Sequence, residues 1–545
     1  MASDELDPSA SGTSHEEVLS DEGRDADESR GAPGWFISVG VHCLFGLLFY
    51  CAVWATVKEE VELPPGKMTI MDPPAKIEEK RDIERKLDTE LVLNTVPEDS
   101  PVAPVSQFDV PVEPVTTTQD DIDAKIAKGR EEAPAISEAG SNGAFMAIGA
   151  NSGASGTFGN RSGGGKRIAL ARGHGSPGSE SAVNAALRWF KRHQSPNGMW
   201  DAEKYPVNCN ENPKCEPGST ASDGGSEVNA AMTGYAILCY LGAGYDHKTP
   251  NQYKSTVEKG LNYLRSIQSA EGNFGPRNYE QGVATMALAE AFAMTSDPEL
   301  KQAAQKGINV IIARQAKDAK GDAAYAGLGW DYVDGKAERI DASVSGWCVM
   351  ALKSGLAANL NVGPAMDGAA KWVRRHWEAT NPEWNKLKDP YADTSTFAYT
   401  WDSTTDKIDV GAPGKSHDLA PVGALCSVFL GHHSGDLMLE TLCNHVMKYQ
   451  FPTKYPCNTY FMYYNTLAIF QAGGERWEKW NNSVRDLLVN AQRKGADCYD
   501  GSWDYAGTEF HGSDTGRVLS TAYCCLSLEV YYRYAQVGGM KKGAH

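Results

Sequence analysis

The chain has 545 residues, 41% apolar and 22% charged, the balance of a globular protein and neither collagen-like nor disordered throughout. Fifty-two lysines and arginines stand against 70 acids, a formal charge of −18. That excludes a nucleic-acid partner, because phosphate recognition runs on clustered positive charge.

In chain order, residues 1–34 hold ten acids against Arg24 and Arg30, which reads as an acidic disordered tail. Residues 35–57, Trp35 to Val57, then contain no Asp, Glu, Lys or Arg. At a rise of about 1.5 Å per residue, some 20 apolar residues cross a hydrocarbon layer of about 30 Å, so the segment predicts one transmembrane helix. Trp35, Phe36, Tyr50 and Trp54 near its ends suit the interface. A signal peptide fits less well, since the run follows a long acidic stretch and shows no small-residue cleavage pattern. Arg24 and Arg30 on one side balance Lys58 and Lys67 on the other, so charge does not orient the span.

Residues 58–179 read as a linker. Ten prolines lie in 61–135, among them Pro64, Pro65, Pro111 and Pro114, and nine glycines in 140–165. The run Gly163–Gly164–Gly165–Lys166 lacks the spacing of a phosphate loop and has no apolar strand before it. A Trp-led apolar helix followed by a Pro-rich tether, over residues 35–115, resembles the anchor of TonB-type energy transducers. The resemblance implies an extracytoplasmic C-terminal part.

From 180 to 535 the chain turns to helical blocks, at about 180–194, 226–243, 252–269, 279–295, 299–316, 341–357, 365–379, 418–434, 436–449, 458–473, 477–493 and 516–535. Odd-numbered blocks are amphipathic, as in Val183, Leu187 and Phe190. Even-numbered ones are apolar nearly all round and rich in small residues, as in Ala230–Gly234. Alternating polarity of this kind predicts an outer and an inner ring of helices. Trp330–Asp331–Tyr332 and Trp503–Asp504–Tyr505 recur 173 residues apart, and Asp341 matches Asp514 at the same offset. Three helix pairs in that interval give a period of about 58 residues, the mark of stacked units. The expectation is an all-α fold, an (α/α)6 toroid of six helix hairpins, with a short tail at 536–545.

Two segments carry a family signature. Gln194–Ser195–Pro196–Asn197–Gly198–Met199–Trp200 fits the Q-x-x-x-G-x-W repeat of squalene cyclases, and Gln268–Ser269–Ala270–Glu271–Gly272–Asn273–Phe274 fits it with Phe in place of Trp. Over 180–535 the chain resembles the prenyltransferase and squalene-oxidase repeat superfamily, which implies the toroid and a structural role for the Gln and Trp. The superfamily's chemistry is another matter. The cyclase acid motif D-x-D-D-T-A is absent, Asp514–Thr515 being a fragment of it. Asp497–Cys498 with His511 departs in spacing from the prenyltransferase zinc trio, and the thioester motif C-G-E-Q is missing. No metal and no cofactor is expected.

Candidates for a site therefore come from inner-helix starts, which converge on a central pocket. Asp341, Asp514 and Glu280 are the candidate catalytic carboxyls. Glu227, Tyr279, Asp418 and Tyr460 are ligand-binding candidates, with Trp330 and Trp503 as walls of the mouth. For Asp341 and Asp514 the alternative role is a helix N-cap. Cys209 and Cys215 lie in a polar insertion and are a disulfide candidate, which an oxidising compartment would favour. His432–His433 suits a helix C-terminus. Two functions remain open. One is a membrane-tethered module binding a lipid or isoprenoid, a peptide, a glycan or an envelope protein; the other is a cyclase- or prenyltransferase-like enzyme acting on an isoprenoid.

Overall fold

Helix caps and one-sided apolar stripes set the outer helices, and helices without a polar face fill the inside. In the computed structural model of the chain the described residues are 161, 163–219, 228–318, 327–333, 339–508 and 512–534, with side chains not described at 163–165, 168 and 512–514. The predicted tail at 1–34, the predicted span at 35–57, most of the linker and Glu227 lie outside them. Among the described residues no helix is long and apolar enough to cross a membrane.

The helices are α1 (Gly163–Gly173), α2 (Pro177–His193), α3 (Val228–Gly242), α4 (Lys254–Ile267), α5 (Asn278–Thr295), α6 (Pro298–Ala313), α7 (Ala342–Ala357), α8 (Ala365–Thr380), α9 (Ala420–Phe429), α10 (Leu437–Tyr449), α11 (Thr459–Ala472), α12 (Gly474–Ala491), α13 (Gly512–Leu528) and α14 (Val530–Arg533). Sequence signals place their starts. Ser176 and Ser179 form a reciprocal capping box before Pro177, and Asp297 and Asp436 accept backbone N–H bonds at the heads of α6 and α10.

Every residue of α3, α9 and α11 is buried, whereas α4 buries only Thr256, Val257, Gly260, Leu261 and Leu264. The helices buried all round pack in sequence: α3 on α5, α5 on α7, α7 on α9, α9 on α11, α11 on α13. The last packs back on the first, α13 on α3, so the ring closes. Helices α2, α4, α6, α8, α10 and α12 cover it from outside. This is the expected (α/α)6 toroid, each of the twelve predicted blocks matching one helix from α2 to α13.

The Q-x-x-x-G-x-W segments are the clasps of this ring. The Gln194 side-chain amide donates to the Gly198 carbonyl at 2.9 Å and to Thr256 of the next outer helix at 2.9 Å. Gln268 does the same with Gly272 and Ala303, and Gln492 with Gly501 and Ala182. Gly198, Gly272 and Gly501 have φ of 96°, 105° and 92°. A Cβ at any of them would overlap the carbonyl of the neighbouring outer helix (Lys259, Lys306 or Ala185), so only glycine fits. Gln315 repeats the clasp, donating to Leu328 and Ala365, but an insertion before Trp330 hides the motif in the sequence.

Two departures from expectation stand out. A small antiparallel sheet, β1 (Arg339–Asp341), β2 (Thr400–Asp402) and β3 (Ile408–Asp409), interrupts the all-helical region in the order β1-β2-β3. It lies in connections between helices and leaves the ring intact. The end of the predicted linker is ordered: α1 packs on α14, and the glycine run opens that helix. Its cations are the reason. Lys166 Nζ sits 2.9 Å from Glu180 and donates to the Ala243 carbonyl, and Arg161 is fully buried.

Candidate functional site

Hairpins that alternate outer and inner helices leave all six inner helices pointing the same way. One mouth of the ring therefore gathers their N-termini and the other their C-termini. At the C-terminal mouth Arg161 Nη1 reaches Glu290 of α5 at 2.8 Å, and Arg533 Nη2 meets the same carboxylate at 3.1 Å. Arg161 also donates to the Arg533 carbonyl at 3.2 Å. All three side chains are completely buried, so residues just before α1 and in α14 close over this mouth.

The middle of the ring is filled. Trp347 of α7 lies 6.4 Å from Tyr523 of α13, the helix three places round the ring. Tyr463 stacks on both, at 5.7 and 5.6 Å, and Tyr235 meets Trp347 edge-on at 5.0 Å. Tyr460 and Tyr464 complete the layer, 4.8 Å apart. The aromatic wall inferred for a central pocket is thus a plug. Its polar atoms are poorly served: Trp347 Nε1, Tyr463 OH and Tyr464 OH find no hydrogen-bond partner among the described residues.

The N-terminal mouth carries the polar chemistry. Asp341 caps α7: its Oδ1 accepts from Ser343 N (2.9 Å), Ser343 Oγ (2.5 Å) and Val344 N (3.2 Å), and its Oδ2 lies 3.2 Å from Arg339. Burial pushes this carboxyl above the usual range, against the pull of those hydrogen bonds and of Arg339. Arg339 also pairs with Asp331 and lies 6.0 and 5.9 Å from the ring centroids of Tyr332 and Tyr399. The Tyr332 and Tyr399 hydroxyls share a 2.9 Å hydrogen bond, Tyr279 stands 5.7 Å from Tyr332, and His417 stacks on Tyr399 at 4.6 Å. Tyr279, Tyr332, Tyr399 and Arg339 are all only partly buried. Together they form a half-open aromatic and cationic patch around a buried acid.

The other expected site residues distribute as follows. Tyr460 reaches the Ser343 carbonyl at 3.5 Å, below the patch. Glu280 is buried with Oε2 3.4 Å from Arg277. Asp418 faces outward, taking His445 of α10 at 2.7 Å, Thr396 at 2.5 Å and Gly414 N at 2.7 Å. Burial alone would raise its pKa, yet these bonds leave it below the ordinary carboxylate value; it anchors loops and does not face the mouth. Trp330 and Trp503 do not wall the mouth either. Both indoles are fully buried and donate to outer-helix carbonyls, Ile311 at 2.7 Å and Leu488 at 2.9 Å, as Trp200 does to Phe190. The Asp514 side chain and His511 are outside the described set. Position 514 is not equivalent to Asp341, because α13 breaks its helical path at Gly516 (φ 60°, ψ −150°), two residues later. His432 pairs with Asp436 at 2.9 Å in the turn after α9.

The cysteines depart most from expectation. Cys209 and Cys215 are free and not joined to each other. The Cys215 thiol lies 2.7 Å from Cys498, which belongs to the α12–α13 connection, and 3.5 Å from His193 Nε2. His193 Nε2 is 3.1 Å from Cys498. Among the described residues these three offer donor atoms that all fall within 4.8 Å of one another, every one buried. Burial holds His193 down to about 4, hence neutral, and pushes Cys215 up and Cys209 up to about 12. This grouping is not visible along the sequence, since Cys215 lies in the insertion, His193 at the end of α2 and Cys498 in the α12–α13 connection. Cys239, Cys348, Cys426, Cys524 and Cys525 are buried core residues of inner helices.

No family model matches the chain, that of the prenyltransferase and squalene-oxidase repeats included, and no curated protein does. Solved structures give distant likenesses. A variant of the α-1,6-mannanase of Salegentibacter sp. HEL1_6, in complex with α-1,6-mannotriose, has a TM-score of 0.43 at 11% identity, over 65% of this chain and 98% of its own. An α-amylase from Clostridium perfringens also gives 0.43, at 12% identity over 65% and 98%. The unsaturated glucuronyl hydrolase of Bacillus sp. GL1 gives 0.42, at 14% identity over 65% and 99%. The ring itself is established by this chain's own helix packing.

Proposed function

We propose that the toroid is a binding module that takes a hydroxyl-rich, glycan-like ligand at its N-terminal mouth, over Tyr279, Tyr332 and Tyr399 with Arg339 beside them. One observation carries this: three half-buried tyrosine rings and a guanidinium converge at the mouth. Ring faces suit the apolar faces of a sugar, and Arg339 with the Tyr332–Tyr399 hydroxyl pair suits its hydroxyls. The same geometry disfavours an isoprenoid substrate. A long apolar chain needs a deep channel, and stacked aromatics fill the ring at mid-height. Hydrolysis would require two carboxyls free to act on one bond. Asp341 is engaged as a helix cap. Binding without chemistry is therefore the reading. With the 35–57 segment as anchor, the module would be held at a membrane, facing outward from the cytoplasm; the free cysteines lend that orientation no support.

Binding of the full chain to a glycan array, followed by calorimetry on the best oligosaccharide, tests this. Tyr399→Ala and Arg339→Ala should each weaken binding about tenfold or more, the scale of one aromatic or charge-assisted contact. Retention of an isoprenoid or lipid in preference to any oligosaccharide would overturn it, and release of reducing sugar would make it an enzyme.

A further inference from the structure

The ring has a seam where its first and sixth hairpins meet, and the chain does not run across it. A loop from the first hairpin, 205–216, lies against the α12–α13 connection of the sixth. There Cys498 N donates to the Pro213 carbonyl at 3.3 Å, and the Trp189 indole donates to the Cys498 carbonyl at 2.9 Å. Into this junction point His193 from the end of α2, Cys215 from the loop and Cys498 from the far side, while Cys209 of the same loop turns to Glu211.

We propose that His193 Nε2 and the thiolates of Cys209, Cys215 and Cys498 bind one structural Zn²⁺ that pins the first hairpin to the last. Three donors already crowd a common centre, at 2.7, 3.1 and 3.5 Å from one another. Tetrahedral bonds of about 2.3 Å to sulphur and 2.0–2.1 Å to nitrogen set the donors somewhat further apart, within the reach of side-chain rotation. The sulphurs of Cys215 and Cys498 are well beyond the 2.03–2.05 Å of a disulfide, and both are free thiols. The imidazole is pre-set for a metal. His193 Nδ1 bonds the Trp189 carbonyl at 2.7 Å, and a carbonyl only accepts, so Nδ1 carries the proton and Nε2 presents its lone pair to the sulphurs. Trp189 stacks on the same ring at 4.1 Å and fixes its plane.

Cys209 is the fourth ligand. Its thiol now bonds Glu211 at 2.6 Å, and Cys498 and Cys215 are its electrostatic neighbours, so turning it away from Glu211 would bring it toward the other three. Binding releases the three thiol protons and leaves a complex of net charge −1, which Arg192 and Arg517 nearby offset. Three sulphurs and one nitrogen, all buried and with no position left for water, are the donor set of a structural and not a catalytic zinc.

The full chain, purified with reductant and without chelator, should contain about one zinc per molecule. Absorption at the zinc edge should show about three sulphurs and one nitrogen at the distances above. Replacement by Co²⁺ should give the d–d bands of a tetrahedral thiolate site, a readout on the unmutated chain. Cys215→Ser with Cys498→Ser should cut the zinc content at least tenfold, while Cys457→Ser, away from the cluster, should leave it unchanged. Absence of stoichiometric metal in the unmutated chain, zinc retained by the double variant, or a Cys215–Cys498 or Cys209–Cys215 disulfide in non-reducing peptide maps overturns the proposal.

Discussion

Gln492, at the end of the last outer helix, donates its side-chain amide to the carbonyl of Ala182 in the first outer helix, 2.8 Å away and 310 residues back in sequence. The same amide holds the Gly501 carbonyl at 2.9 Å. This is the clasp that Gln194 and Gln268 make between neighbouring hairpins, here made across the seam. A ring closed in this way has no weak end.

Replacing Gln492 by Leu should therefore cost as much as replacing Gln268, or more. Each change removes two side-chain hydrogen bonds, roughly 0.5–1.5 kcal/mol apiece; after Gln268→Leu the Gly272 carbonyl still accepts from Gln281. Urea unfolding of the two variants measures the difference. In an open array Gln492→Leu would only fray a terminal unit, so a midpoint near that of the unmutated chain would refute closure.

Arg161 ties the segment before α1 to the ring. Its guanidinium and that of Arg533 share the buried Glu290, and removing one member of a buried ion pair costs roughly 3–5 kcal/mol when the partner is stranded. Arg533 remains in the Arg161→Met chain, so the loss should fall at or below the lower end of that range. A chain starting at residue 175 should be destabilised further, losing the α1 packing on α14 as well. Equal unfolding midpoints for the truncated and full chains would contradict this.

What could be read from the sequence follows the range over which each signal acts. Glycines 198 and 272, each four residues after a glutamine, and helices apolar all round are local patterns, and they announced both rings. Ring closure is long-range. His193 and Cys498 lie 305 residues apart, and nothing in either neighbourhood names the other. Cys209 and Cys215, six apart, invited a local disulfide, because Cys498, the neighbour of Cys215, arrives only once the sixth hairpin docks on the first. Arg161 and Lys166 sit among glycines, so composition read them as tether, whereas buried acids on the toroid hold them. Trp330 and Asp341 recur at the same spacing as Trp503 and Asp514. The indole and the carboxylate turned out to serve helix ends.

Asp341 separates a cap from a catalytic acid. Asn caps helices about as well as Asp, so Asp341→Asn should stay within a few tenths of a kcal/mol in stability, whereas Asp341→Ala should lose about 1–2 kcal/mol. Ligand binding at the mouth should survive both changes to within a few-fold, because Oδ1 is spent on Ser343 and Val344. Calorimetry on the two variants decides this. Loss of binding in Asp341→Asn with unchanged stability would make the carboxyl a ligand contact.

His376 gives the fold an acid-sensitive step. It is fully buried on α8 between Phe397 and Trp401, 4.2 and 5.8 Å from their rings, and its Nδ1 accepts the Trp372 indole N–H at 3.0 Å. Burial lowers its pKa to about 3, against an ordinary value of 6.5, with a hydrogen bond to Ala398 opposing. The folded chain thus keeps this imidazole neutral while the unfolded chain takes a proton as pH falls below 6.5. Between pH 6.5 and about 3 the unfolded state binds the extra proton, so stability falls as pH falls, by up to about 1.4 kcal/mol per pH unit from this group. Carboxylates with lowered pKa, the buried Asp418 and the partly exposed Asp436 among them, add losses of the same sign at lower pH. The difference between chains isolates the histidine. His376→Gln, whose carbonyl can still accept from Trp372, should be less stable at pH 7.5 through imperfect packing, yet lose less stability between pH 6.5 and 4.5, a shallower slope by up to one proton. Urea midpoints across that range supply the test, and parallel pH profiles for the two chains would show that His376 is not the group that titrates.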